Sequence, residues 1–551
     1  MNSRRRAGPT RRSVLAGGLA AGLLGALPAK AQSGGRWSIR IADGGPGTPI
    51  SPLIYGSNEI GTMDGGAPSA TFDREVGVTA RRLGGNLMTT YNWVNNAANS
   101  GKDYHHANSP FLLDALGIDR PQWIEPARLI ETMHEASLAM GAKSLVTVPL
   151  AGYVAADFDG PVPPEASAPS PRFVPTRWDP GAKAGDPVMP AVADIPQLLA
   201  RLVERYGGAD SERGIHAYAL DNEPGLWAET HPRVVTAKPT IRAFLERSLA
   251  AARAIKRADP AARVFGPVSW GASEMVSFQD APDWNDYRQH GSFLAAYLDA
   301  FRTASEQDGI RLLDALDLHW YPYSNRGDLF RSKDAALATA LLEAPRSLTE
   351  AGFREDSWVV RALADGGSDR EIGLPLLPSL RRIADHVFPG TGLAVTEFNY
   401  GGAGQIASGL ALADVLGRFG QQGVSFATHW GSLDGSLGEA YRLFRAQDST
   451  GRRFGDRSQA VTVEGTPEVV AYAAAFEDGR PGLQLVVINK SEAPATLDLR
   501  FETAAARNCL SVFGFDAANP KTIALTETPI NADGGLQVNL PARSARRYGF
   551  A

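Results

Sequence analysis

The sequence contains very little cysteine, with Cys509 as the only one among 551 residues. A single thiol excludes an intrachain disulfide and any metal site built from several cysteines. Cys509 lies late in a strand-rich region, so we expect it to be packing and not a nucleophile. The chain also has no G-x-S-x-G and no H-E-x-x-H motif. Serine-hydrolase and zinc-peptidase chemistry therefore have no support.

An excess of positive charge is absent as well. Lys and Arg number 55 against 60 Asp and Glu, which gives a net charge of −5. This balance offers no bulk attraction for nucleic acid or for an anionic membrane. The hydrophobic share of 44% is that of a globular protein, and the length allows one large domain and a smaller one. We expect a monomer with a neutral ligand and no nucleic-acid partner.

The N-terminal residues 1–31 have the pattern of a cleaved export signal. A basic segment ends in Arg11 and Arg12, the apolar run Val14 to Leu27 follows, and Ala29-Lys30-Ala31 supplies a small-residue cleavage site. The run is too short to span a bilayer. The paired arginines are typical of the twin-arginine export type. We therefore expect a periplasmic or extracellular protein that begins near Gln32 and is not inserted in a membrane.

Short runs rich in Val, Ile and Leu alternate with longer amphipathic segments from about residue 52 to 430. This alternation predicts repeated βα units and a parallel sheet. Eight strands are predicted, at residues 52–58, 80–86, 144–150, 216–222, 263–270, 315–321, 393–399 and 424–430. Helices are predicted between them, among others at 126–140, 241–258, 292–304 and 408–421. Eight units close a (β/α)8 TIM-type barrel, which we place at residues 51–435.

The pattern changes to short alternating runs with turn residues between them after about residue 440. It predicts a second, smaller domain, an antiparallel β-sandwich, at residues 436–551. Residues 37–41, WSIRI, alternate in the same way, so the N-terminal segment 32–50 is predicted to add a strand to this sheet.

Residues 160–190 are rich in proline, which forbids a helix or a central strand there. The segment is either a disordered linker or, because it follows the third barrel strand, a wall of the cleft at the carboxyl face of the barrel. We favour the wall.

Polar residues at the carboxyl ends of barrel strands converge on one site. Two of those predicted ends carry a glutamate, Glu223 in DNEP and Glu397 in TEFNY. Two carboxyl groups that face each other across a cleft suit cleavage of a glycosidic bond, with one as proton donor and the other as stabiliser or nucleophile. The other candidates at or near strand ends for contact with substrate are Asn86, Asn222, His319, Trp320, Tyr321 and Trp430.

Tryptophans also follow or form the predicted strand ends. Sugar rings stack on flat aromatic faces while their hydroxyls take polar partners. We therefore expect a carbohydrate to stack on Trp93, Trp227, Trp320 and Trp430.

Several stretches resemble successive motifs of glycoside hydrolase family 44, in the family's order and over nearly all of the mature chain. They are RLGGNLMTTYNWVNNAANSGKDY (82–104), LDNEPGLWAETHP (220–232), LDLHWYP (316–322), LAVTEFNYGG (393–402), FGDRS and LVVINKS. The resemblance implies a retaining endo-β-1,4-glucanase, often active on xyloglucan, with a barrel and a sandwich built from both chain ends.

By the same resemblance Glu223 matches the acid/base and Glu397 the nucleophile. Asn222 would contact the sugar 2-hydroxyl, and Arg82 could hold Glu397 ionised. The family is also associated with a bound calcium, for which Asp157 and Asp159 are the candidates, while catalysis needs no cofactor.

Other interpretations remain open. Gly402-x-Gly404-x-x-Ala407 has the layout of a dinucleotide fingerprint, but the acidic residue expected after the next strand is missing. A retaining β-mannanase, xylanase or transglycosylase would use the same scaffold. A non-enzymatic carbohydrate-binding protein on a degenerate barrel is a further alternative, although both carboxyl groups are present.

Overall fold

The computed structural model describes residues 35–59, 76–178, 192–329, 334–363, 368–402, 404–449, 451–479, 481–503, 507–532 and 535–551. The predicted signal, residues 1–31, lies outside them. Residues from Gly34 to Ala551 form one compact unit, so the predicted boundaries at residues 50 and 435 stay predictions. Over the described ranges, no helix has both the length and the apolar character that a membrane crossing requires.

Eight parallel strands close a barrel, as the sequence predicts. Each observed strand lies within or next to a predicted one, and the first is the shortest because a 3-10 turn, Pro52–Ile54, takes up its predicted start. In chain order, after the N-terminal strand β1 (Gly35–Ala42), they are β2 (Gly56–Ser57), β3 (Ala80–Leu83), β4 (Lys143–Val148), β5 (Ala217–Leu220), β6 (Arg263–Ser269), β7 (Ala315–Trp320), β8 (Gly392–Phe398) and β9 (Phe426–His429).

Side chains alternate between the barrel interior and the surrounding helices because successive residues of a strand point to opposite faces. In β5, Ala217 and Ala219 join the interior cluster, whereas Tyr218 and Leu220 join the large core under the helices. The interior is filled by small and aromatic residues such as Phe265 and Phe426, so the barrel is a packed core and not a pore.

The longer helices surround the barrel, and most of them bury one face against it. They are α1 (Arg128–Ala139), α2 (Ile195–Tyr206), α3 (Ile241–Ala258), α4 (Phe293–Asp308), α5 (Leu376–Val387), α6 (Ile406–Gln421) and α7 (Gly435–Arg445). The helix Ile406–Gln421 is buried on nearly all sides, because the C-terminal sheet also packs on it. Thr240 and Ser292 cap the N-termini of α3 and α4 through their hydroxyls. Shorter helices cover Asn86–Thr89, Phe111–Ala115, Trp227–Thr230, Ala272–Ser277, Ala338–Glu343 and Val359–Ala362.

Part of the proline-rich segment forms short edge strands. Phe173–Arg177 pairs antiparallel with Tyr153–Ala155 and parallel with Ala193–Asp194, while Gly160–Pro161 pairs with Ala107–Ser109, which also pairs with Ala98–Asn99. These pairs attach the start of the segment to the loop after β3. Its remainder, residues 179–190, lies outside the described part of the chain.

The C-terminal domain is an antiparallel sheet that β1 joins, as predicted. Its main strands are β10 (Arg457–Glu464), β11 (Val469–Ala475), β12 (Leu483–Asn489), β13 (Ala495–Phe501), β14 (Cys509–Asp516), β15 (Gly535–Leu540) and β16 (Ser544–Phe550). The order is β14-β16-β12-β11-β10-β1-β13-β15, extended by Thr48–Pro49, Ile523–Ala524 and Ile530–Ala532. β1 pairs antiparallel with β10 and parallel with β13, so the one parallel pair among these main strands involves the N-terminal strand. Inward residues of both halves, from Trp37 to Phe550, meet in one core.

Candidate active site

The two glutamates stand at the same end of the barrel, on strands that β6 and β7 separate. Glu397 lies within β8, one residue before its end. β5 already ends at Leu220, and Glu223 follows in a left-handed conformation, φ 45°, just before a 3-10 turn that Pro224 begins. This backbone conformation is costly for a residue with a side chain, and such conformations cluster at functional sites.

Glu223 has the properties of a carboxylic acid that keeps its proton. Its side chain is 17% exposed, and its Oε1 lies 2.7 Å from His319 Nδ1. Burial raises its pKa to about 7, against the lowering effect of Arg82. At neutral pH a large fraction of Glu223 is therefore protonated, as a general acid requires.

Glu397 stands in a contrasting environment of hydrogen-bond donors. Arg82 Nη1 donates to Oε1 at 2.8 Å, and the Tyr321 hydroxyl donates to Oε2 at 2.8 Å. One oxygen atom each of Glu223 and Glu397, together with a ring nitrogen of His319, lie within 4.8 Å of one another. The site thus brings an acid and an anchored carboxylate to opposite sides of one small space.

Arg82 is the centre of a buried hydrogen-bond network. Its side chain is fully buried, and besides Glu397 it donates to Asn222 Oδ1 at 2.8 Å and to Asn58 Oδ1 at 3.0 Å. Asn58 in turn donates to the Thr396 carbonyl, one residue before Glu397. Arg82, expected to pair with Glu397, does so, and it also fixes the amide of Asn222.

His319 is neutral in this site. It points into the barrel with Asp317, two residues earlier on β7, and is fully buried. Burial and the charge of Arg82 lower its pKa to about 3, although Glu397 acts in the opposite direction. Its Nδ1 is 3.4 Å from Glu397 Oε2, so the ring lies between the two carboxyl groups.

Asp221 is an anchor for the strand end and does not face the substrate space. It is fully buried, and its Oδ1 accepts from Thr89 Oγ1 at 2.6 Å, the Asn222 N–H at 2.7 Å and Trp227 Nε1 at 3.2 Å. Its Oδ2 accepts from the Leu150 N–H. Burial raises its pKa to about 6. These bonds fasten the residues before Glu223 to the loops after β3 and β4.

Comparison with known proteins agrees with this geometry. The family model described as glycoside hydrolase family 44 matches residues 97–324. A solved xyloglucanase of that family from Paenibacillus polymyxa, in a structure with xyloglucan, has a TM-score of 0.86 and 32% identity, over 94% of this chain and 99% of the other. The chain belongs to glycoside hydrolase family 44. The resemblance seen in the sequence is therefore confirmed, as is the enzyme class expected from the two glutamates.

Two curated relatives are much longer than the part they share with this family 44 chain. Beta-mannanase/endoglucanase A of Caldicellulosiruptor saccharolyticus is 34% identical over 498 residues, which is 86% of this chain and 36% of that protein. Endoglucanase A of Paenibacillus lautus is 35% identical over 481 residues, which is 85% of this chain and 66% of that protein. The chain thus spans less than two thirds of either relative.

Three of the four tryptophans expected to stack on sugar are buried instead. Trp93, Trp227 and Trp320 are 3%, 1% and 3% exposed and belong to the large core. Trp320 follows His319, which points inward, so it points outward to the helices. Trp227 packs on Phe244 of α3 and donates to Asp221, and Trp93 packs under the loop after β3. The expectation that these three rings bind sugar is wrong, because they offer almost no surface to it.

Trp430 and Asn86 do lie at the site. Trp430 is partly exposed, and a Cβ on Gly85 would stand 2.7 Å from its ring, so only glycine allows this close approach. Asn86 accepts from Asn222 Nδ2 at 3.3 Å and donates to Asp103 Oδ2 at 2.9 Å. Asn86 therefore lies beside the residue expected to contact the sugar 2-hydroxyl.

A partly exposed aromatic group on the Glu223 side was not predicted. Trp270 directly follows β6 and stacks on Trp358 at 5.9 Å, and Tyr323 meets Trp358 edge-on at 5.2 Å. Glu223 contributes to a raised Tyr323 pKa, of about 12, after burial. Trp270 ends a predicted strand and could have been found by the same rule as Trp430, whereas Trp358 lies far from any strand end.

The calcium candidates do not fit a cation site. Both oxygens of Asp157 accept from the Arg172 guanidinium, at 2.7 and 3.0 Å, and Asp159 donates its N–H to Asp157. Burial would raise the Asp157 pKa, but the hydrogen bonds from Arg172 lower it below its usual value, so this carboxylate already has a cationic partner. Glu223, His319 and Glu397 are the group in the described ranges with three metal-binding side chains together. Arg82 beside Glu397 disfavours a cation there as well.

Proposed function

We propose that the chain is a retaining glycoside hydrolase that cleaves internal β-1,4 linkages of a glucan-type polysaccharide by double displacement. One observation carries the proposal: Glu223 and an anchored Glu397 have oxygens within 4.8 Å of each other. The raised pKa of Glu223, about 7, suits the proton donor of this pair. Retaining enzymes hold their two carboxyl groups about 5 to 5.5 Å apart, while inverting enzymes leave room for a water between carboxyls roughly 6.5 to 9.5 Å apart.

In the first step, Glu397 attacks the anomeric carbon and Glu223 gives its proton to the leaving glycosidic oxygen. Arg82 and Tyr321 each donate a hydrogen bond to one oxygen of Glu397 until one of these two oxygens forms the bond to the sugar. Asn222, which Arg82 orients, contacts the 2-hydroxyl beside the reacting carbon, a contact that strengthens in the transition state.

In the second step, Glu223 has lost its proton and acts as the base. It takes a proton from a water molecule that attacks the anomeric carbon, and the bond to Glu397 breaks. Between the two steps Glu223 is an ionised carboxylate. Burial destabilises its charge and raises its pKa, so it is a stronger base than an exposed glutamate. His319 Nδ1 keeps its oxygen in place throughout.

For the substrate we infer a β-1,4-glucan such as a cellulose derivative or xyloglucan, with glucomannan as an extension. The relatives' printed names support this range: endoglucanase, xyloglucanase and beta-mannanase/endoglucanase. A retaining β-mannanase, xylanase or transglycosylase is the alternative, because the carboxyl pair does not fix the sugar.

The direct test is a reducing-end assay of the mature chain on carboxymethylcellulose, xyloglucan, glucomannan, lichenan and xylan. The proposal expects turnover on the first two and a rapid fall in viscosity, which reports internal cleavage. Turnover on mannan or xylan alone would favour the alternative. The anomer first released, followed by proton NMR, is expected to be β, and an α product would contradict retention.

The proposed chemistry uses only carboxyl groups, so no cofactor takes part in either step. The first 31 residues support export by the twin-arginine route, to the periplasm or beyond. Replacement of Arg11 and Arg12 by Lys should leave the chain in the cytoplasm, which fractionation would reveal. Size-exclusion chromatography with light scattering tests the expected monomer.

A further inference from the structure

A third glutamate lies against the loop that carries Glu223. Glu274 belongs to the short helix Ala272–Ser277, which follows β6, the barrel neighbour of β5. It is fully buried, and no cation is among the groups that act on it in the described part of the chain. A buried carboxyl group without a positive partner is expensive, so its presence needs an explanation.

Glu274 contacts the acid/base loop and the end of β6 at the same time. Its Oε2 accepts from the Trp270 N–H at 3.1 Å, and its carboxyl group lies directly against Gly225. A Cβ on Gly225 would stand 2.9 Å from Glu274 Cδ and Oε2, so glycine is required for this approach. Gly225 is the second residue after Glu223.

The backbone that Glu274 joins is strained on both strands. Asp221 and Glu223 have φ of 68° and 45°, and Val268 near the end of β6 has φ of 61°. A positive φ is an outlier for a β-branched residue, and such conformations persist only where their surroundings enforce them. The Val268 carbonyl accepts from the Glu223 N–H at 3.1 Å, so the two strained segments touch.

We propose that Glu274 is a positioning residue of the active site, whose carboxyl group fastens the Glu223 loop to the end of β6. The inference rests on the proposed function, since it assigns Glu274 a part in placing the acid/base. Burial raises the Glu274 pKa well above its usual range, and the Glu223 charge acts in the same direction. The neutral acid accepts the Trp270 N–H at Oε2 and adds no charge beside Glu223. Its Oε1 is buried without a hydrogen-bond partner among the described residues.

Two variants distinguish this role from ordinary packing. Glu274→Gln keeps the shape, the accepting oxygen and the neutral charge, so kcat/KM on carboxymethylcellulose should stay within about threefold of the wild type. Glu274→Ala frees the loop, and misplacement of a catalytic group by about 1 Å costs roughly 100-fold. We therefore expect a loss of about 10- to 100-fold for Glu274→Ala on the polysaccharide.

Two substrates with different leaving groups distinguish a misplaced acid from a general structural defect. A structural defect lowers kcat/KM on both substrates equally, so the ratio of the two values does not change. Cleavage of 2,4-dinitrophenyl β-cellobioside needs no proton from Glu223, so its kcat/KM should fall less than about threefold in Glu274→Ala. Glu131→Ala is the matched control, because Glu131 is also buried but pairs with Arg201 behind the barrel. Any loss in that variant should affect both substrates equally.

The pH profile checks the charge of Glu274. The alkaline limb of kcat/KM should be the same in Glu274→Gln as in the wild type. The titratable and charged groups around Glu223 are His319, Glu397, Arg82, Asp103, Tyr321, Tyr323 and Glu274. A downward shift of the limb by more than about half a pH unit would mean that Glu274 is ionised and would overturn the proposal.

Other results of these measurements would contradict the positioning role of Glu274. Equal losses of Glu274→Ala on both substrates, or a Gln variant as poor as the Ala variant, would contradict the positioning role. If Glu274→Ala does not fold, the kcat/KM values of Glu274→Gln on the two substrates still test the proposal. A wild-type chain that cleaves neither substrate refutes the proposed function itself, which separates that failure from a failure of this inference.

Discussion

In the proposed mechanism the two glutamates have different roles, so their variants should respond differently to an added nucleophile. Replacement of Glu397 by Gly leaves a cavity at the face opposite the leaving group, and azide there should give an α-glycosyl azide. Replacement of Glu223 by Ala should give a β-glycosyl azide from dinitrophenyl β-cellobioside, because Glu397 still forms the covalent intermediate. Both variants should lose about 100-fold or more on polysaccharide. Product NMR decides, and the same anomer from both variants would reverse the assignment.

The exposed Glu229, six residues after Glu223, is the control for these variants. Glu229→Ala removes a carboxylate close in sequence but outside the network around Arg82. We expect its activity on polysaccharide to equal that of the wild type, and no glycosyl azide should form.

The raised Glu223 pKa sets the pH dependence of catalysis. Glu223 must be protonated to act as an acid, and burial places its pKa at about 7. The kcat/KM for carboxymethylcellulose should therefore fall above pH 7 with an apparent pKa near that value. A dinitrophenyl substrate should show no such limb. An alkaline limb near pH 4.5 would show that burial does not govern this group.

Trp430 and Trp227 should separate substrate binding from stability. Trp430→Ala removes a partly exposed ring near Gly85 and should raise KM on polysaccharide several-fold with an unchanged melting temperature. Trp227→Ala empties a fully packed site and should lower the free energy of unfolding by about 3 to 5 kcal/mol. Thermal melts and KM values, measured together, check both. A Trp227→Ala variant with normal stability would restore the ring as a candidate platform.

At the scale of the strand, the end of β5 depends on Asp221. Asp221→Asn is not a conservative change. It places an amide nitrogen where Oδ2 accepts from the Leu150 N–H, so two hydrogen-bond donors would face each other. We expect a loss of about 1 to 3 kcal/mol in the free energy of unfolding. Loss of kcat should accompany it, since Asn222 and Glu223 follow directly. Urea unfolding measures the first effect. Asp210→Asn is the control, because Asp210 is an exposed residue in the turn between α2 and β5.

The sequence predicts elements better than the direction of single side chains. The eight barrel strands follow from repeated apolar runs, and Glu223 and Glu397 follow from their positions after those runs. The prediction for Trp320 is wrong because successive side chains of a strand point to opposite faces. A run of apolar residues locates the strand, but it does not tell which of two neighbouring residues points into the barrel. Glu274 lies in a short helix after β6 and Trp358 lies in a loop, and their contacts with the Glu223 loop and with Trp270 depend on how separate segments meet in space.

At the scale of the whole molecule, a buried ionic network connects the barrel to the C-terminal sheet. Asp414 of α6, the helix after the nucleophile strand, is fully buried and binds Arg418, four residues on, at 2.9 Å. Asp414 also accepts from Lys490, which follows β12, and from the Tyr472 hydroxyl of β11. Arg418 continues the network to Glu350 at 2.7 Å. The two cations of this network, Arg418 and Lys490, thus balance its two carboxylates, Asp414 and Glu350.

Removal of two partners together should therefore cost less than the sum of the two separate removals. Lys490→Met leaves Asp414 with one fewer cation and should lower the free energy of unfolding by about 3 to 5 kcal/mol, because breaking one side of a buried pair leaves an uncompensated charge. Lys490→Met combined with Asp414→Asn should cost less than the sum of the two single changes. The exposed pair of Arg302 and Glu306 is the control, and Arg302→Ala should cost less than about 1 kcal/mol. Urea midpoints for the four variants measure these differences. Additive losses would show that Asp414 and Lys490 act separately, and that packing alone joins the sheet to the barrel.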